Sequence, residues 1–137
     1  MKKPKGFKAD IHVRFRDLDT LGHVNNSDYP TYFEDARDIF LQAHNVDFYD
    51  PEIFFILAHI SCDYKIPIAY KTRVSIYIEC LEIGNKSFRL GYTVANRDDS
   101  EIVYATGESV QVCFDPKANK AIPVSEKLKK LLRETLQ

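Results

Sequence analysis

Phe15-Arg16-Asp17-Leu18-Asp19-Thr20-Leu21-Gly22-His23-Val24-Asn25-Asn26-Ser27-Asp28-Tyr29 sets two carboxylates, a histidine and a glycine turn directly ahead of a helix start. A helix N-terminus carries backbone N–H groups without intrahelical acceptors, and a partial positive charge. An acidic side chain beside it can act on a carbonyl whose oxygen those groups receive, which is an acyl-transfer geometry. Upstream, Ala9, Ile11, Val13 and Phe15 alternate with Asp10, His12 and Arg14, which predicts a half-buried strand over 9–15. Downstream, Tyr29, Tyr32, Phe33, Ala36, Phe40 and Ala43 recur at helical spacing and predict a helix over about 27–44. Asn25, Asn26 and Ser27 are all suited to cap that helix, and Pro30 fits its first turn, where an N–H has no intrahelical acceptor. The broad aromatic stripe is that of a helix wrapped by a sheet.

The rest of the chain reads as that sheet. A polar linker over 45–52 and a turn at Asp50-Pro51 precede an apolar segment over 53–66. Val74, Ile76, Ile78 and Cys80 alternate with polar positions, Gly84-Asn85 supplies a turn, and Phe88, Leu90, Tyr92 and Val94 alternate again, as in a hairpin. A turn over 96–100 leads to a long strand over 101–114, in which Gly107 permits a bend, and Asp115-Pro116 ends it. Leu128, Leu131 and Leu132 among lysines mark a short surface helix over 125–136. The expected order is strand, long helix, four antiparallel strands and a small helix, an α+β chain folding as one domain over 1–137.

Composition narrows the function classes. With 45% hydrophobic and 28% charged residues and a net charge of -1, the chain is expected to be a soluble globular protein without a nucleic-acid or membrane-surface partner. Cys62, Cys80 and Cys113 form no C-x-x-C pair, so neither a zinc site nor a disulfide framework is expected, and the thiols suit a cytoplasmic location. No phosphate-binding loop, dinucleotide fingerprint or G-x-S-x-G elbow occurs. Asp17, Asp19, Gly22 and Asp28 fall at four places of a calcium loop, but Leu21 offers no side-chain oxygen and the preceding segment reads as a strand, so no metal is expected. On an extended segment Asp17 and Asp19 point the same way, and spacing alone does not separate a catalytic carboxylate from one that caps turn amides. His23 is a candidate for proton transfer or a hydrogen-bonding turn residue. Lys71, Arg73, Lys86 and Arg89 are candidates for holding phosphates or simply solvated cations.

The same stretch, followed by Tyr29, Tyr32, Phe33, Glu34, Ala36 and Arg37, resembles the hotdog-fold acyl-CoA thioesterases of the 4-hydroxybenzoyl-CoA thioesterase type. Ile66-Pro67, Gly84-Asn85-Lys86-Ser87-Phe88, Ala105-Thr106-Gly107 and the segment 115–123 extend the resemblance over nearly the whole chain. It implies a long helix wrapped by a curved antiparallel sheet, assembly as a homodimer or homotetramer with the acyl site between subunits, and hydrolysis of an acyl-CoA without a cofactor. The catalytic carboxylate carries over to Asp19, with Asp17 supporting it, and the oxyanion donor to the backbone N–H of Asn26. Lys86 lines up with a basic residue that in some members contacts the CoA phosphates, although Gly84-Asn85 stand where those members have arginines, and Ser87 and Tyr29 are further candidates for touching substrate. His23 stands where several members have an apolar residue. A binding protein for acyl ligands without turnover, or a hydratase or dehydratase, remains open on the same fold.

Overall fold

A computed structural model of the chain describes residues 3–137. The aromatic stripe becomes the helix α1 (Tyr29–Ala43), entered through a short 3-10 turn over Asn26–Asp28, so the regular helix starts two residues later than its periodicity suggests. Pro30 stands in its first turn, and Tyr29, Tyr32, Phe33, Ala36, Arg37, Phe40 and Leu41 are buried. Around it lie β1 (Phe7–Ile11), β2 (Phe55–Tyr64), β3 (Val74–Ile83), β4 (Ser87–Asn96), β5 (Val103–Asp115) and the two-residue β6 (Lys120–Ala121), followed by α2 (Glu126–Leu136). The strands form a curled antiparallel sheet in the order β1-β3-β4-β5-β2, with β6 added to the end of β5. This is the hotdog arrangement.

The helix seats on the sheet through Phe33. Its ring stacks on Tyr92 with centroids 4.3 Å apart, and a Cβ built on Gly107 would lie 2.7 Å from the same ring and 2.7 Å from the Ser61 carbonyl oxygen. Gly107 therefore serves close approach, with the bend a secondary matter. Full burial of the Phe33 side chain contributes about 2 kcal/mol. Beneath it runs a buried polar chain: the Arg37 guanidinium donates to the Tyr92 hydroxyl at 2.9 Å, that hydroxyl pairs with Ser109 Oγ, Ser109 bonds Gln111, and Gln111 Nε2 donates to the Phe88 carbonyl. Each group is satisfied inside the core, which the low local dielectric requires. α2 closes the core near the C-terminal half of α1, with Leu128, Leu132 and Leu136 buried and Ser125 capping its first turn through the Leu128 N–H. Cys80 and Cys113 are buried and Cys62 half-buried, all as thiols; burial pushes Cys113 up to about 11.

One expectation is corrected. The strand over 9–15 ends early, at Ile11, and Phe15–Asp17 forms a 3-10 turn that leaves the Phe15 ring 75% exposed. The cause is local: the Asp17 carboxylate receives the Arg14 backbone N–H at 3.0 Å and its guanidinium at 2.9 Å, which curls the segment before it can continue as strand. Asp17 and Asp19 are thus not on one extended face.

Candidate active site

The acidic loop is a tight reversal. Leu18 bridges Val24, the Asp19 N–H donates to the His23 carbonyl at 2.7 Å, and the Gly22 N–H donates to the Asp19 carbonyl at 3.1 Å. Gly22 takes a φ of +79°, a region that favours glycine, with open space around it. Val24 N–H donates to Ile68 O and Tyr70 N–H to Gly22 O, which docks the loop on the chain leading into β3.

The two aspartates turn opposite ways. Asp17, 1% exposed, is enclosed by Arg14 and by the Tyr32 hydroxyl, which donates to it at 2.7 Å from α1. Burial alone would raise its pKa, but the hydrogen bonds from the Arg14 side chain, the Arg14 backbone and Tyr32 outweigh it and hold the carboxyl below its ordinary value. Asp19 is exposed, and its Oδ1 receives the N–H groups of Leu21 at 2.8 Å and His23 at 3.2 Å. Its Oδ2 receives no hydrogen bond among the described residues. One oxygen fixes the carboxylate and the other is available for chemistry.

The helix start is similarly divided. Asn25 accepts from Ser27 N–H through its side chain at 3.0 Å and from Asp28 N–H through its carbonyl at 2.9 Å, while its own N–H donates to Asp17 O. Pro30 has no N–H. Among the described residues the Asn26 N–H has no acceptor, which leaves it as a donor at the positive end of α1.

Asp19, His23, Asn26 and Tyr29 line one cleft of about 470 Å³, closed on the other side by Tyr64, Lys65 and the Ile66-Pro67 pair. Tyr29 is buried and its phenol is pushed up to about 12 by burial, so it acts as wall and not as a proton carrier at neutral pH. Nothing in the sequence local to β2 marks Tyr64 and Lys65, because the meeting of its end with the start of α1 is a tertiary matter.

Lys86 and Ser87 lie elsewhere. Ser87 pairs with Val112, Cys113 N–H donates to Lys86 O, and Cys113 pairs with Phe55, so both residues sit at the Phe55 end of the sheet. The ten-residue β2 runs from that end to Tyr64, about 30 Å at roughly 3.3 Å per residue. Within one chain they do not meet Asp19. Of the other cations, Arg89 pairs with Glu108 at 3.2 Å, Arg73 with Asp98 at 3.8 Å, and Lys71 lies over the Tyr70 ring.

This loop, cleft and helix start fall inside the region matched by the sequence profile of the thioesterase-like superfamily, which covers residues 13–132. The chain belongs to the thioesterase-like superfamily. Among its relatives in this superfamily is the long-chain acyl-CoA thioesterase FadM of Escherichia coli, 27% identical over 139 residues that cover 95% of this chain and 99% of FadM. A 1,4-dihydroxy-2-naphthoyl-CoA hydrolase of Rippkaea orientalis is 24% identical over 127 residues, covering 90% of this chain and 92% of the hydrolase. A thioesterase of Thermus thermophilus solved with coenzyme A and zinc superposes with a TM-score of 0.78 at 29% identity, covering 93% of this chain and 92% of that one. Two superfamily relatives thus carry acyl groups of different shape in their names, one a long chain and one a fused ring. Among the described residues no helix is long and apolar enough to cross a membrane.

Proposed function

We propose that the protein is an acyl-CoA thioesterase of the 4-hydroxybenzoyl-CoA thioesterase type, which hydrolyses an acyl-CoA to a free acid and CoA. The observation that carries this is the Asp19 carboxylate and the unpartnered Asn26 N–H on one cleft. The thioester carbonyl oxygen is received by the Asn26 N–H, which stabilises the charge that develops there as the carbon becomes tetrahedral. Asp19 Oδ2 either attacks the carbonyl carbon, forming an anhydride that water then hydrolyses, or removes a proton from the water that attacks. In both routes the C–S bond breaks, CoA leaves as a thiolate and takes up a proton, and water completes the acid, adding its oxygen directly to the acyl carbon in the second route and hydrolysing the anhydride to free acid and Asp19 carboxylate in the first. Neither route calls for a metal or cofactor. His23, whose backbone N–H steadies Asp19, lines the same cleft and is our candidate to accept or return that proton. The three free thiols fit a cytoplasmic location.

A two-fold dimer completes the site in this reading. β2 is a ten-residue sheet edge, and Ile56 and Leu57 on it are 43% and 45% exposed. Such an edge invites pairing with a second strand. Antiparallel pairing of two β2 edges sets the Phe55 end of one copy beside the Tyr64 end of the other, which carries Lys86 and Ser87 toward the partner's cleft and its CoA phosphates. Lys86 forms no ion pair among the described residues and suits that role. Sedimentation at micromolar concentration is expected to show a dimer or tetramer; a stable monomer counts against the shared site.

The reading is tested by hydrolysis of a panel of acyl-CoAs, from short and long chains to aromatic acyl groups, with release of free thiol as the signal. Turnover of at least one class is expected. Binding of CoA esters with no thiol release from any of them would make the protein a ligand-binding relative.

A further inference from the structure

Tyr64, the last residue of β2, is the one sheet side chain among the described residues that is hydrogen-bonded to the start of α1. Its hydroxyl donates to the Asn26 carbonyl at 2.9 Å, and its ring meets Tyr29 edge-on with centroids 4.9 Å apart. Asn26 opens the 3-10 turn that leads into α1, so its carbonyl sits where the chain passes from loop to helix. The sheet thus adds a side-chain donor from outside to a carbonyl of the helix's entering turn. Tyr64 is itself held firmly: it pairs with Ala105 on β5, and the next two N–H groups, of Lys65 and Ile66, both donate to Tyr104 O at 2.8 and 3.0 Å. Although half exposed, its phenol is held above the ordinary value by partial burial and by the neighbouring Cys62, so it remains a donor through neutral pH.

We infer that Tyr64 is a positioning residue: its hydroxyl fixes Asn26 so that the N–H of that residue stays aimed into the cleft. This rests on the thioesterase reading, and adds to it a part supplied from 38 residues down the chain. An oxyanion donor matters most when charge has developed on the carbonyl oxygen, so loosening it slows the chemical step and leaves ground-state binding nearly unchanged.

Tyr64→Phe keeps the ring against Tyr29 and removes only the hydroxyl. With an acyl-CoA that the wild type hydrolyses, kcat is expected to fall roughly tenfold while KM changes less than about twofold. Melting temperature is expected to hold, and nitrogen-15 relaxation should show the Asn26 amide more mobile than in the wild type. Unchanged kcat, a raised KM with kcat intact, loss of stability in step with activity, or an Asn26 amide as rigid as before would each overturn the role of Tyr64. Wild-type protein that hydrolyses no acyl-CoA would overturn the thioesterase reading, and the relaxation of Asn26 still decides whether Tyr64 holds the helix start.

Discussion

Asp19→Asn is expected to lower thioester turnover by roughly two or more orders of magnitude, as loss of a general base or nucleophile does, with acyl-CoA still bound. The substitution is well isolated by the structure. The amide oxygen of an asparagine can replace Oδ1 as acceptor for the Leu21 and His23 N–H groups, so the reversal between Leu18 and Val24 is kept. What is lost is the second oxygen, the one without a hydrogen bond, and the negative charge. Thiol-release kinetics measure the loss, and calorimetric titration with a non-hydrolysed CoA thioether checks that binding persists. Near-normal hydrolysis by a variant with an intact circular dichroism spectrum would remove Asp19 from the mechanism and move attention to Glu34, exposed on α1, since Asp17 is walled in by Arg14 and Tyr32.

Asp17→Asn is expected to show the converse, a loss of about 2 kcal/mol in unfolding free energy with a smaller effect on turnover than at Asp19. Its carboxylate ties three parts of the chain together: the Arg14 backbone, the Arg14 guanidinium and the Tyr32 hydroxyl on α1. An asparagine turns an N–H₂ toward at least one of these donors and leaves a buried hydroxyl or N–H poorly paired. Arg14 is half exposed, and water screens its share of the pair, which keeps the figure modest. The pH dependence has a definite sign. Because the folded-state pKa of Asp17 lies below its ordinary value, its charge stabilises the fold above the unfolded pKa of roughly 3.9, and that stabilisation is lost as pH falls through the lower folded value. Urea unfolding of wild type and variant should therefore differ by a constant amount above about pH 5 and converge below about pH 4. A gap that persists in acid would show that the carboxylate charge is not what holds the loop.

Much of this architecture is legible in the amino-acid order. The spacing of Tyr29, Tyr32, Phe33, Ala36 and Phe40 marks α1, and the alternation around Val74 and Phe88 marks β3 and β4, because each pattern records which side of its own element is buried. The acidic turn ahead of a helix likewise points to the site, since caps and turn residues act over three or four positions. These signals fail where a stronger local bond competes, as when Arg14 and Asp17 end β1 early.

The sequence by itself therefore determined the kinds of element, their order and the neighbourhood of the chemistry. Tertiary structure decided which carboxylate is free, because Asp17 is occupied by Tyr32, fifteen residues along and brought back by α1. It placed Arg37, a charged residue on an otherwise aromatic stripe, inside the core against Tyr92, fifty-five residues away. It put Lys86 at the opposite end of the sheet from Asp19, and Tyr64 against Asn26. Each of these depends on the register between elements distant in the chain, and periodicity within one element carries no information about the register between two.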